Sequence, residues 1–256
     1  MTNKKISMFS LWRDSVSYIL NSLSRLDDLI LQNKHINFSF YFYENDSQDE
    51  TVSILNNWMK DKRGKILSEN VGFNKEGSVF TESRMKKMCY YRNRMINLGR
   101  YIDTDYSIVF DSDVIYSSDI INKFLSKIDE ETLMYTPNIT QNIKCKICNC
   151  GRDSYYDSSP FFDKRGEQGL TWSCNPFTNV FDRFQFESGQ PVEVNSAFGG
   201  FALFKGDVLN HCNWTFDGLC DHVSLCKDVR KYGKIKIYPD INVRVELDDE
   251  TVRRYE

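Results

Sequence analysis

The stretch "YSIVFDSDVIYSSDII", Tyr106 to Ile121, decides how the chain is read. Its run Ile108-Val109-Phe110 has the length and apolar content of a strand covered on both faces. The run ends on two aspartates, Asp111 and Asp113, separated by Ser112. Behind them, "SSDIINKFLSKI" has helical spacing, with Ser117 or Ser118 as its cap. Strand, polar turn and helix in that order form one unit of a parallel α/β sheet.

Similar units lie on either side. Upstream, "KKISMFSL" reads as a strand, and Val16, Ile19, Leu20, Leu23, Leu26 and Ile30 then recur at helical spacing. "INFSFYFYE" alternates and is rich in aromatics, as a strand is. Asp46 or Ser47 can cap the next helix, which carries Val52, Leu55 and Trp58, and "GKILSE" is a short strand. "TESRMKKMCYYRNRMINLGR" (81–100) is helical, with Thr81 as N-cap. Downstream come a strand "TLMYTP", a strand "VNSAFGGFALFK" interrupted by Gly199 and Gly200, a helix from about Leu219 to Lys231, and a last strand "KIKIYP". From Asn138 to Pro191 no period is sustained, so a long irregular loop is expected there. The predicted fold class is α/β, a single domain with a mostly parallel central sheet flanked by helices.

With 256 residues, 41% of them hydrophobic, the chain can bury one large core. A formal net charge of -3 gives no bulk case for nucleic acid as a partner. No window is apolar for long enough to span a membrane, and Arg13 and Asp14 interrupt the apolar start, so a soluble, cytoplasmic protein is expected. Its eight cysteines should then stay reduced. "CKICNC" holds Cys145, Cys148 and Cys150, half of a zinc knuckle without an evident second half. Cys174 could supply a fourth thiolate, but thiols in an irregular loop are the favoured reading.

In a doubly wound sheet, ligands sit beyond the carboxyl ends of the strands, where Asp111 lies. If the chain stays extended through Ser112, Asp111 and Asp113 project to the same side. Two such carboxylates suit a hard divalent cation that also takes phosphate oxygens. The competing reading is a polar turn at a strand end. Arg84 and Arg92 lie eight residues apart, about two helical turns, so both can line one face with Met88 between them.

"IVFDSDVIYSSDII" resembles the Asp-x-Asp segment of GT-A-fold glycosyltransferases. "FYFYENDSQDETVSILNNW" and "SRMKKMCYYRNRMINL" resemble, in order and spacing, the cryptococcal-type α-1,3-mannosyltransferase and capsule-associated family, and glycosyltransferases of large DNA viruses. The likeness runs from about Ile36 to Asp119 and returns at "NSAFGGFALFK" and "LCDHVSLCKDVRKYGKIKIYP". It implies one GT-A (Rossmann-like) domain over 1–256, with a nucleotide-sugar-binding half (1–136) and an acceptor-side half (137–256) holding the loop 138–191. Asp111 and Asp113 would bind Mn2+ or Mg2+ against the diphosphate of a GDP- or UDP-sugar, with His222 completing the metal shell.

The resemblance also implies Arg13 and Asp46 (with Glu44 as second choice) at the base, phosphate or ribose, and Arg84 and Arg92 on the donor. Gly199 and Gly200 would make room for the sugar ring. Asp221 would be the acid near the acceptor, acting as base if the reaction inverts. The family itself implies retention, with Asp221 only positioning the acceptor. The implied activity is transfer of a hexose, mannose first, to a glycan hydroxyl, in a host cytoplasm if the protein is viral. Two alternatives stand. A sugar-1-phosphate nucleotidyltransferase would carry a glycine-rich loop after its first strand, where this chain has "SLWRDS" with no glycine. A carbohydrate-binding protein on a transferase fold would need no complete polar cluster.

Overall fold

The alternating apolar pattern of the N-terminal half forms strands and helices in the expected order. A computed structural model of the chain describes residues 3–74, 76, 81–148, 150–248 and 251–252. The elements are β1 (Lys4–Trp12), α1 (Ile19–Gln32), β2 (Ile36–Asn45), α2 (Thr51–Met59), β3 (Gly64–Glu69), α3 (Glu82–Asn97) and β4 (Tyr106–Asp111). There follow β5 (Ile115–Tyr116), α4 (Ile120–Leu125), β6 (Thr132–Lys144), β7 (Asp153–Tyr155) and β8 (Phe162–Asp163). The chain continues through α5 (Val180–Glu187), β9 (Val192–Ser196), β10 (Phe201–Lys205), α6 (Asp221–Val229) and β11 (Lys234–Val245).

These strands make one sheet in the order β3-β2-β1-β4-β10-β6-β11-β9-β8, with β5 on β11 and β7 on β6. The chain winds outward from β1 to β3 and then returns to place β4 on the other side of β1. This reversal opens a crevice between the carboxyl ends of β1 and β4, where ligands of open α/β sheets bind. Residues 108–110 of β4 are at most 1% exposed, because β1 and β10 flank the strand and helices cover it. Beneath the crevice, Trp12, Phe42, Trp58 and Phe110 pack ring against ring.

The sheet is mixed. β1, β2, β3 and β4 are parallel, as expected, and so are β6 and β11. β10 runs antiparallel to both its neighbours, and so do β9 to β11 and β8 to β9. Two expectations for this half need correction. "VNSAFGGFALFK" is not one interrupted strand. Gly199 and Gly200 have φ of +69° and +63° and form a turn from β9, paired with β11, to β10, paired with β4. The segment 138–191 also has its own structure: β6 runs on to Lys144, and β7, β8 and α5 follow. α5 is capped by Asn179, whose side-chain oxygen accepts from the N–H groups of Phe181 and Asp182. Its apolar pattern was unreadable because Val180, Phe181 and Phe184 face solvent. Thr81 caps α3 as expected, accepting from the Arg84 N–H. Neither Asp46 nor Ser47 caps α2; its N-cap is Glu50, which makes no side-chain capping bond, and Asp49 accepts from the Thr51 N–H at 2.9 Å just before the helix.

Candidate active site

Asp111 is the last residue of β4, and its N–H is held by the Gly200 carbonyl at 2.8 Å. The chain does not stay extended beyond it. Ser112 and Asp113 form a turn, because Ser112 is buried and its hydroxyl bonds Tyr18 Oη at 3.1 Å. Both aspartates nevertheless line one cleft of about 320 Å³ at the crevice between β1 and β4. Arg13 and Tyr18 line it from the loop after β1, Asn45 from the end of β2, and Arg84, Lys87, Met88 and Arg92 from α3. Arg84, Met88 and Arg92 thus share one face of α3 toward the cleft.

A buried ion-pair chain supports the floor. Arg92, 5% exposed, donates from Nε to Asp221 Oδ2 at 2.7 Å and reaches Asp111 Oδ1 through Nη2 at 3.4 Å. The guanidinium also lies over the Phe198 ring, 5.5 Å from its centroid. Burial alone would raise the Asp221 carboxyl; neighbouring positive charge, from His222 when protonated and from the Arg92 guanidinium in direct contact, outweighs it and holds the group down at about 2. Asp111 goes the other way. Its depth in the cleft, with Asp113 and Asp221 as like charges, outweighs Arg92 and lifts it to about 6. Asp113 is also raised, chiefly by desolvation.

The other expected residues divide. Arg13 donates to the Phe73 carbonyl at 2.8 Å and lies 3.8 Å from Asp46. Asp46, with φ of +55°, accepts from the Gly72 N–H and from Asn45, so it shapes the wall while Asn45 lines it. Glu44 is 1% exposed and bonded to the Ser47 N–H and the Ser68 hydroxyl, away from the cleft lining. At Gly199 an added Cβ would lie 2.9 Å from Pro137 atoms, and at Gly200 2.7 Å from Val114, so this protein's own atoms fill the space expected for a sugar. His222 is buried, stacked on Phe198 at 3.7 Å, with Nδ1 facing the Trp214 N–H at 3.4 Å. Burial and the Arg92 charge push it down to about 3, so it is neutral. Asp111, Asp113 and His222 do not converge as a set within 4.8 Å.

Asp157 was missed. It lies two residues past β7, in the segment without a period, and its Oδ2 accepts the Gly199 N–H at 2.8 Å. Burial, with the charges of Asp111 and Asp221, outweighs the Gly199 hydrogen bond and Arg92 and raises its carboxyl to about 7. Its neighbour Tyr156 lines the cleft beside Asp111 and Asp113. The only signal in the sequence is an acid after two aromatics in "SYYDSS", which no spacing rule picks out.

The donor set fits a hard divalent cation. Two carboxylates, raised chiefly by desolvation, open onto a cleft whose α3 wall carries Arg84, Lys87 and Arg92.

No family model and no curated protein matches the chain. Solved structures do. S. aureus TarS (residues 1–349) superposes with a TM-score of 0.55 at 13% identity, over 94% of this chain and 60% of that one. PcManGT, a mannosyltransferase of Pyrobaculum calidifontis solved with GDP-Man and Mn2+, gives 0.59 at 11% identity, over 98% and 59%. An inositol-1-phosphate CTP transferase from T. maritima gives 0.50 at 7% identity, over 98% and 94%. The chain therefore spans about 60% of the length of the first two. The fold is the α/β fold of the GT-A glycosyltransferases, one domain with a mixed central sheet flanked by helices. A nucleotidyltransferase shares it, so the function has to be argued from the site. Among the described residues, no helix is long and apolar enough to cross a membrane.

Proposed function

We propose that the chain is a metal-dependent glycosyltransferase that moves a hexose, mannose as first candidate, from a nucleoside-diphosphate sugar to a glycan hydroxyl. The observation that carries this is the single cleft in which Arg13, Arg84, Lys87 and Arg92 face Asp111 and Asp113 at the sheet's switch point. Cationic side chains opposite paired carboxylates suit a diphosphate bridged to a divalent cation. The mannosyltransferase neighbour with GDP-Man and Mn2+ gives GDP-mannose priority among donors.

In this reading Asp111 and Asp113 would hold Mn2+ or Mg2+, which when bound would supply charge neutralisation for a diphosphate leaving group. Arg84 and Lys87 bind the phosphates, and Arg92 adds charge at the floor. Asn45, set by Asp46, lines the nucleoside end with Arg13. The two halves divide accordingly, with the donor on 1–136 and the acceptor on 137–256. His222 is left out of the metal shell because its ring is buried and stacked.

The role first given to Asp221 passes to another residue. A carboxylate held at about 2 and bonded to Arg92 is a weak base, so Asp221 orients Arg92. Asp157, next in the chain to the cleft-lining Tyr156 though not itself on the lining, has a carboxyl raised to about 7, which suits accepting a proton from the acceptor hydroxyl near neutral pH. Only its deprotonated form works, so the rate rises with pH through a midpoint that a bound cation moves below 7. Asp157→Asn keeps an acceptor for Gly199 and is expected to lower kcat by about 10²–10⁴-fold and to abolish this limb. A variant with near wild-type rate and an unchanged pH profile would remove Asp157 from the chemistry. A base on the acceptor goes with inversion, whereas the resembled family implies retention; the anomeric proton of the product, read by NMR, decides between them.

The function itself is tested by calorimetric titration of GDP-mannose, UDP-sugars and CTP with and without Mn2+. Mn2+-dependent binding of a nucleoside-diphosphate sugar is expected. Binding without metal, or no binding, would count against the transferase. Turnover of CTP with a sugar phosphate would favour the nucleotidyltransferase, whose glycine-rich loop is missing after β1.

A further inference from the structure

Four of the eight cysteines, distant from the cleft floor in sequence, meet at one point. Cys145 follows β6, Cys148 and Cys150 lie in the next loop, and Cys174 precedes α5. Their sulfurs all lie within 4.8 Å of one another, with Cys145–Cys148 at 3.3 Å and Cys148–Cys174 and Cys150–Cys174 at 3.5 Å. A disulfide requires about 2.05 Å, so none of these contacts is a bond. Four sulfurs about 2.3 Å from a common centre at tetrahedral angles stand about 3.8 Å apart, close to what is seen. An iron–sulfur cluster would bind the cysteines to different irons and spread them further.

The surroundings suit thiolates. N–H groups of Ile147, Cys148 and Cys174 are directed at the Cys145 sulfur, that of Cys150 at Cys148, and that of Arg152 at Cys150. Arg152 Nε also donates to Cys150 Sγ at 3.3 Å. Sulfur is a weak acceptor as a thiol and a stronger one as a metal-bound thiolate, so converging donors are what surrounds a thiolate metal site. Four sulfurs gathered this closely, with donors around them, have the arrangement of a tetrahedral metal-ligand set.

We propose that Cys145, Cys148, Cys150 and Cys174 bind one zinc ion in a closed, structural tetrathiolate site. Zinc displaces the four thiol protons to solvent and leaves no open position for catalysis. The missing half of the knuckle is the pair Cys150 and Cys174, 24 residues apart. The ion therefore closes the loop that carries β7, Tyr156 and Asp157. Backbone bonds from Lys146 to Trp172 at 2.9 Å and from Tyr155 to Ser173 at 2.7 Å align the same two segments. The zinc site thus fixes a loop whose tip reaches the cleft.

Elemental analysis of the protein purified without chelator tests this, independently of any transferase activity. About one zinc per chain is expected, and Cys148→Ser and Cys174→Ser should each retain less than about a tenth of it, while Cys89→Ala keeps the full equivalent. Chelation should lower Tm by roughly 5–15 °C, as removal of a long-loop cross-link does. If the serine variants do not fold, wild-type protein refolded with Co2+ should show the sulfur-to-cobalt charge-transfer and d–d bands of a tetrahedral thiolate site. Folded wild-type protein that binds no zinc, carries iron there, or loses the mass of disulfide hydrogens would overturn the assignment.

Discussion

Asp111→Asn and Asp113→Asn are each expected to reduce metal-dependent donor hydrolysis or transfer by about 10²–10³-fold while the fold stays intact. The physical ground is the opposed charge of the cleft. Desolvation raises both carboxyls, and the like charges of Asp113 and Asp221 raise Asp111 further, so the ionised floor is unfavourable without a cation. Under the proposed function a divalent ion would relieve that cost and offset charge on the diphosphate, so losing either carboxylate would weaken both effects. The two variants should differ in one respect. Asp111 also touches Arg92 at 3.4 Å, so Asp111→Asn disturbs the guanidinium, whereas Asp113 is exposed and its loss is confined to the cation. Steady-state rates across a Mn2+ titration check this. Full activity of Asp113→Asn at low Mn2+ would sink the metal assignment.

The second large effect is on stability. Arg92→Met leaves Asp221, 4% exposed, as a buried carboxylate without its partner, at a cost of about 3–5 kcal/mol. For a chain of this size Tm should fall by roughly 6–20 °C. Adding Asp221→Leu removes the stranded charge, so the double variant should regain most of the Tm and none of the activity. A double variant no more stable than Arg92→Met would show that Asp221 is not the partner that matters. The pH dependence has a definite sign. Asp221 is held below its unfolded value of about 3.9, so its contribution is complete above about pH 4 and lost as pH falls toward 2. Asp157 is raised instead, so its burial costs stability as pH rises from about 4 to 7.

Much of the N-terminal half was legible because it is written in local pattern. An apolar run ending on Asp111, an N-cap at Thr81 and arginines spaced by helical turns are relations between residues close in sequence. They placed β4, α3 and the cleft wall. The C-terminal half was less legible. Gly199 and Gly200 read as an interruption within one strand because an alternating pattern does not say which neighbour a strand pairs with. β9 and β10 go to different partners, and two left-handed residues turn the chain between them.

By itself, the sequence determined the strand–helix order, the position of Asp111 at a strand end and the basic face of α3, since each follows from periodicity and capping. Only the tertiary structure decided that Arg92 pairs with Asp221 across 129 residues, that Asp157 sits by Gly199 across 42, and that Cys174 joins the cysteine cluster. Those contacts form where the sheet brings distant segments together, and burial there shifts the charges. A carboxylate at about 2 and another at about 7 differ in surroundings, not in anything the letters of the chain record.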